Sequence, residues 1–482
     1  MGEQNTLKEK TAKGLLWGGM SNGIQQLLTL VFGIILARKL SQADYGMIGM
    51  LAIFSAIAAC MQEGGFISAL NRKKEVTQRD YNAVFWASLL TSIFFYALFF
   101  FSAPLIARFY GIPELAPLAR YSFLSFLLVS FSIAPRAYIF RNMMVRQSSI
   151  ISIVSVFLSG VVGIVMAMNG FAYWGIATQN IVFTLSVSVL NYYFSGWRPS
   201  LQIDLRPIRE ILGFSSRLIA TNILTAVNAN YFSVLLGRFY TREEVGDFTQ
   251  ANKWNTMGHS FITSMLYGIA QPVLTKVQDD IPRQKQIFRK LLRFTAFVSF
   301  PAMLTLSLVS HEFIVILITE KWLNSAHLLR LLCVAGAVMP VSYLFSNLLI
   351  SRGHSSSYMW CMLAQCIAQL VVVGLAVPFG IRFMVVGFVA VNILWVVPWF
   401  FLARKEIHLS VVEALKDVTP YMLLAIGSVG IAYLATYGIS NLYFSLVAKV
   451  SVSVAIYCIS LWLLHSTIFK EAVLFMVKKE IT

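Results

Sequence analysis

The chain has 482 residues, of which 58% are hydrophobic and only 12% charged, about half the charged share of a soluble globular domain. A mean hydropathy of +0.72 over the whole length excludes a soluble enzyme with a single membrane anchor, and it excludes disorder. The net charge of +17 would suggest nucleic acid in a soluble protein, but in a membrane protein the inward bias of lysine and arginine accounts for it, so no nucleic-acid partner is expected.

At the N-terminus Lys8, Lys10 and Lys13 precede an apolar stretch that is long enough to cross a bilayer and has no small-residue cleavage site. It reads as a first membrane span, not a removable signal peptide. With about 20 apolar residues needed per helix, the sequence predicts fourteen spans. The first six are 14–37, 45–70, 81–107, 118–135, 148–168 and 171–195. The next six are 213–236, 255–275, 294–318, 327–350, 356–379 and 383–403, and two more follow at 419–437 and 442–468. Of the 38 lysines and arginines, 27 fall on the connections that share a side with the N-terminus, which places both termini in the cytoplasm. Trp17, Trp86, Trp174, Trp197, Trp254, Trp322 and Trp360 fall near span ends, as interfacial anchors do.

The second half repeats the first. LARKLSQADYG (36–46) aligns with LGRFYTREEVG (236–246), so that Leu36, Arg38 and Gly46 meet Leu236, Arg238 and Gly246. The register continues with small drift through Phe85 with Phe288, Arg120 with Arg330 and Arg141 with Arg352. An even number of spans per repeat gives both copies one orientation and a two-fold relation along the membrane normal, with the substrate path between them. The expected fold class is therefore an all-α polytopic membrane protein. It comprises a six-helix lobe at 1–197, a second at 198–404, and two additional transmembrane helices with a cytoplasmic tail at 405–482.

Catalytic chemistry has no foothold in the sequence. GxxxxGK[ST], HExxH and GxSxG are absent, and Cys60, Cys333, Cys361, Cys366 and Cys458 sit in apolar runs without zinc spacing. Asp279 and Asp280 read as solvated loop charges. No catalytic residue, metal or cofactor is expected.

Ionisable and amide groups at membrane depth are the functional candidates. Glu63, in CMQEGGF, is a candidate for ion coupling, against the alternative of a carboxylate reaching the interface from a span end. Arg217 opens the seventh span; Arg217 with Asn228, and Asn222 with Asn230, each lie near one helical stripe. Asn22, Gln25 and Gln26 form the counterpart in span one. Such stripes face a cavity, or else hydrogen-bond helices together. Arg136, Lys253, His259, Gln271, Gln365, Gln369 and Lys449 complete the set, in which cations outnumber acids. That balance favours an anionic, phosphate-bearing substrate.

The opening GLLWGGMSNGIQQLLTLVFGIILARKLSQADYGMIGML (14–51), with GFISALNRKKEVTQRDYNAVFWASLL (65–90) and IARFYGIPELAPLARYSFLSFLL (106–128), resembles the polysaccharide transporter family. These are the lipid-linked oligosaccharide flippases of the multidrug/oligosaccharidyl-lipid/polysaccharide superfamily. The chain departs from the family pattern at Gln42, where Pro is frequent, and in the less basic RNMMVRQ (141–147). The resemblance implies translocation of an undecaprenyl diphosphate-linked oligosaccharide across a bacterial cytoplasmic membrane by rocking of two lobes. Polysaccharide polymerase and glycosyltransferases would be working partners beside the lipid-linked substrate and the membrane lipid. A cation-coupled exporter of small drugs is the rival within the superfamily. It would carry an acidic residue in span one, and residues 14–37 contain none.

Overall fold

A computed structural model describes the backbone of residues 2–63, 66–67, 70, 73 and 75–471. It gives their side chains except at 2–16, 18–19, 63, 209–218, 220, 265, 267–269 and 355. Among the described residues the regular structure is helical, without strands. The first helices are α1 (Gly2–Lys39), α2 (Gln42–Glu63), α3 (Gln78–Tyr110), α4 (Leu115–Ser122), α5 (Leu124–Arg141), α6 (Val145–Met168), α7 (Ala172–Ser195) and α8 (Arg206–Phe239). Then come α9 (Arg242–Lys276), α10 (Ile281–Leu308), α11 (Ser310–Ile318), α12 (Leu323–Ser351), α13 (Ser355–Ala376), α14 (Ile381–Leu394), α15 (Val396–Ile407), α16 (Val411–Ala435) and α17 (Leu442–Leu463).

Eleven of the expected spans coincide with helices long and apolar enough to cross a membrane. The remaining three, 171–195, 213–236 and 255–275, fall on α7, α8 and α9, which are continuous helices. Three spans expected as single helices, 118–135, 294–318 and 383–403, are each two pieces, meeting at Phe123, Val309 and Trp395. At Trp395 the cause is Pro398, which has no N–H to offer the Leu394 carbonyl where α14 stops.

Packing divides the chain into two compact units, Met1–Gly246 and Asp247–Thr482. In the first, α6 packs on α1 and α7, α5 on α3 and α7, and α8 on α2 and α3. Small residues permit close approach, as helices in lipid require. A Cβ at Gly160 on α6 would lie 2.1 Å from the Phe32 ring of α1. A core of Leu70, Tyr81, Phe85, Ala137 and Trp197 closes one end. Above it Arg141 donates to the carbonyls of Leu70 and Lys73 at 2.7 and 2.8 Å. The α7–α8 connection is tied to α3 by Gln78 Nε2 to the Arg198 carbonyl (2.9 Å) and Trp86 Nε1 to the Ser200 carbonyl (3.0 Å). Arg79 grips Asp204, whose carboxyl is held below its usual range first by the Arg206 N–H and then by Arg79.

The second unit repeats this plan. Phe288 is buried among Leu274, Phe345, Leu348 and Trp399, and Arg352 donates to the Gln278 carbonyl (2.9 Å) and Gln284 Oε1 (3.1 Å). Phe85 and Phe288, and Arg141 and Arg352, thus do the same work in the two units.

The repeated loop supplies a contact of its own inside the first unit. Ser41 N–H and Oγ donate to Asp44 Oδ2 at 2.8 and 2.7 Å, and the Asp44 N–H returns to Ser41 Oγ at 3.3 Å. Thr241 and Glu244 reproduce this capping box, with both donations at 3.1 Å and the return at 3.3 Å. The two helix starts then meet reciprocally. A Cβ at Gly46 would stand 1.9 Å from the Arg242 carbonyl oxygen, and one at Gly246 would stand 1.9 Å from the Gln42 carbonyl oxygen. Residues 42 and 46 exchange places with 242 and 246, the signature of a local two-fold.

Helices α16 and α17 dock onto α10 and α11 through ion pairs. Arg289 makes a two-pronged bond to Asp417 at 2.6 and 3.1 Å, while Lys285 and Arg289 hold Glu413 at 2.7 and 3.2 Å. Further along, Lys449 of α17 pairs with Glu312 of α11, which also accepts from Ser445 Oγ at 2.9 Å. Lys449 is therefore a docking residue, which corrects its place among the cavity candidates. Removing one partner of a buried pair strands the other charge, at about 3–5 kcal/mol. Lys449→Met should therefore lower the melting temperature of the purified protein markedly, and adding Glu312→Gln should recover most of the loss.

Candidate substrate-facing surfaces

Helix α1 exposes two different faces. Met20, Ile24, Leu27 and Val31 recur at helical spacing, and all four are exposed apolar side chains suited to hydrocarbon. On the opposite side Asn22, Gln26 and Thr29 share a face and are also exposed. Amide groups set into hydrocarbon without partners cost several kcal/mol, roughly 2–7 each, so an exposed face built from them belongs against water. Gln25 flanks this face and donates to Ser21 Oγ at 2.9 Å, which orients it.

Helix α8 exposes Asn222, Thr225 and Ala229 on one face, and no large apolar side chain among its described residues 221–236 is exposed. Lipid is a poor neighbour for such a face. Asn228 is half-buried with Oδ1 unpaired, and Asn230 Nδ2 turns back to the Ala226 carbonyl at 2.8 Å. Asn22 and Asn222 occupy the same register as the repeated loop, as do Phe32 and Phe232, which are both buried. The two candidate stripes are thus copies of one position. That signal was present in the sequence, with Asn22 and Asn222 each fourteen residues upstream of the start of the aligned motif.

Other candidates separate. The side chains of Glu63 and Arg217 lie outside the described residues. Arg136 is exposed on α5, one turn before its end, and Lys253 is half-buried on α9 of the second unit. His259 is buried with Nδ1 unpaired. Gln365 and Gln369 both donate to Asn392 Oδ1, at 3.3 and 3.2 Å, and so join α13 to α14. Sequence reasoning missed Glu312 and Asp417, which are buried at 5% and 3% exposure. Glu312 opens the apolar run EFIVILI, a placement that could have marked it. Among the described residues no three His, Cys, Asp or Glu side chains gather as a metal site would need.

These features define a multi-pass α-helical membrane protein with hydrophilic surfaces on two equivalent helices. Residues 35–327 match the family described as polysaccharide biosynthesis protein, and the chain belongs to that family. Among similar proteins is the lipopolysaccharide biosynthesis protein WzxC of Escherichia coli strain K12, 25% identical over 356 residues, covering 72% of this chain and 71% of that one. The teichuronic acid biosynthesis protein TuaB of Bacillus subtilis strain 168 is 24% identical over 364 residues, 74% of each chain. Among solved structures, the lipid II flippase MurJ in an inward closed conformation matches with a TM-score of 0.77 at 13% identity, over 95% of this chain and all of that one. An inward-facing multidrug transporter of the MATE family matches with a TM-score of 0.65 at 17% identity, over 80% of this chain and 94% of that one. The chain shares its fold with these two transporters.

If the Asn22 and Asn222 faces meet water, cysteines placed there should react with a charged, membrane-impermeant thiol reagent in a cysteine-free background, and Leu27→Cys on the lipid face of α1 should not. Equal protection of all three would return both stripes to helix packing.

Proposed function

We propose that the protein is a transporter, not an enzyme, that carries an undecaprenyl diphosphate-linked oligosaccharide from the cytoplasmic to the outer leaflet of a bacterial cell membrane. The cargo is a repeat unit of lipopolysaccharide, capsule or exopolysaccharide, a reading supported by the lipopolysaccharide role named for WzxC. Residues 1–197 and 198–404 are the rocking lobes, 405–482 the appended helices, and both termini lie in the cytoplasm. The paired exposed amide faces at Asn22 and Asn222 carry the reading. Such a cargo has a polyprenyl tail at home in lipid and a diphosphate and sugars that are not. It needs a hydrophilic lane beside an apolar wall, and α1 offers both faces on one helix. Asn22, Gln25, Gln26, Asn222 and Asn228 are neutral donors and acceptors suited to sugar hydroxyls.

The diphosphate is assigned to cationic side chains, with Arg217 first and Arg136 and Lys253 as further contributors. Arg217 falls on the stripe of Asn228 and on the helix that carries Asn222. A guanidinium can hold phosphate with two parallel hydrogen bonds, where an ammonium offers a compact charge alone. Glu63, at the end of α2, is the group proposed to couple an ion to the cycle. Arg217→Ala should strongly reduce surface glycan and leave lipid-linked precursor inside the cell, with Arg217→Lys retaining part of the activity. Full export by a well-expressed, correctly inserted Arg217→Ala protein would remove the phosphate role.

A further inference from the structure

Helices α13 and α15 border a groove of about 530 Å³ lined by Trp360, Trp395, Phe401 and Lys405, among others. The transport reading makes no use of it. A second depression of about 410 Å³ shares Phe401 and Lys405 and adds Arg404. The two together form an apolar channel that ends in two cations. On α15, Val397, Phe401 and Lys405 recur every fourth residue along one exposed face. Trp360 is 62% exposed and Phe401 50%, so aromatic surface stands open beside the charges. Arg404 and Lys405 are not neutralised by the acid next to them. Glu406 is already engaged by Arg352 at 2.9 Å and by His354 at 3.3 Å.

We infer that this groove holds a resident anionic glycerophospholipid, with acyl chains against Trp360, Val397 and Phe401 and the headgroup phosphate on Arg404 and Lys405. The order of groups along α15 is that of the lipid itself: hydrocarbon contact, then an aromatic ring at ester depth, then positive charge. Basic residues beside a membrane favour anionic headgroups. A soluble anion would need the cations alone and would have no use for the aromatic channel. A zwitterionic lipid would fill the channel but gain little from two adjacent cations. On the topology proposed above, Arg404 and Lys405 lie at the cytoplasmic leaflet.

The test uses the full chain, purified and stripped of lipid. Phosphatidylglycerol should raise its melting temperature, while phosphatidylcholine and glycerol 3-phosphate should raise it much less. In Arg404→Gln/Lys405→Gln the preference for phosphatidylglycerol should fall, about five-fold in affinity per cation removed. Brominated phosphatidylglycerol should quench tryptophan fluorescence in the native sequence more than brominated phosphatidylcholine does, and Trp360→Phe should reduce that excess, leaving the share due to Trp395, which decides the matter even if the double variant folds poorly. Equal effects of the two lipids, a shift reproduced by glycerol 3-phosphate, or quenching indifferent to Trp360 would each overturn the proposal.

Discussion

The contact on which the rest depends is the reciprocal seating of two copies of one short loop. Gly46 lies against the Arg242 backbone and Gly246 against the Gln42 backbone, each with room for a hydrogen and nothing larger. A side chain at either position would drive a Cβ into a carbonyl oxygen. The equivalent capping boxes of Ser41–Asp44 and Thr241–Glu244 open the two helices in the same way, so the local two-fold follows from chemistry repeated in sequence. Tyr110 joins the same corner, its hydroxyl donating to the Met50 carbonyl at 3.1 Å beside Gly237. Backbone-to-backbone seating of this kind depends on shape and leaves little polar bonding to break. In the proposed transport cycle Gln42 and Arg242 belong to different lobes, 1–197 and 198–404, and this is the contact proposed to part and close.

Polar groups in lipid do two different jobs in this chain. Glu312, Ser445 and Lys449 bond to one another in the interior of the second unit, and Gln365 and Gln369 bond to Asn392, so both sets fasten helices. Asn22, Gln26 and Asn222 instead stay exposed on helices whose neighbouring faces are packed or lipid-facing. Residue type alone does not separate the two jobs; exposure and pairing do. The proposed flippase function draws on the second set, and the first keeps the appended helices in place.

Much of the fold was legible because membrane helices announce themselves by length and apolar run, and because Gly46 and Gly246 mark an internal repeat. Arg141 and Arg352 could be matched by register, and the structure gives them the same loop-clamping bonds. The Glu312–Lys449 pair was hidden, since its partners are separated by 137 positions and only tertiary packing joins them. The helix breaks at Phe123 and Val309 carry no proline at the junction, whereas Trp395 has Pro398 three residues on and was readable. Within the candidate site the amide stripes were found from helical spacing. Their equivalence needed the offset of the loop to be carried back to Asn22 and Asn222. That Gln365 and Gln369 bond to Asn392 could not be read from the sequence, which does not show that Asn392 lies opposite them.

The most direct measurement combines the repeated loop with transport. In proteoliposomes loaded with a lipid-linked oligosaccharide, arrival of sugar on the far leaflet would be followed for a Gln42→Cys/Arg242→Cys protein before and after joining the two thiols with a short cleavable linker. The account predicts transport before linking, arrest once the two loops are held together, and recovery when the linker is cut. Transport that continues unchanged through the linked state would contradict it.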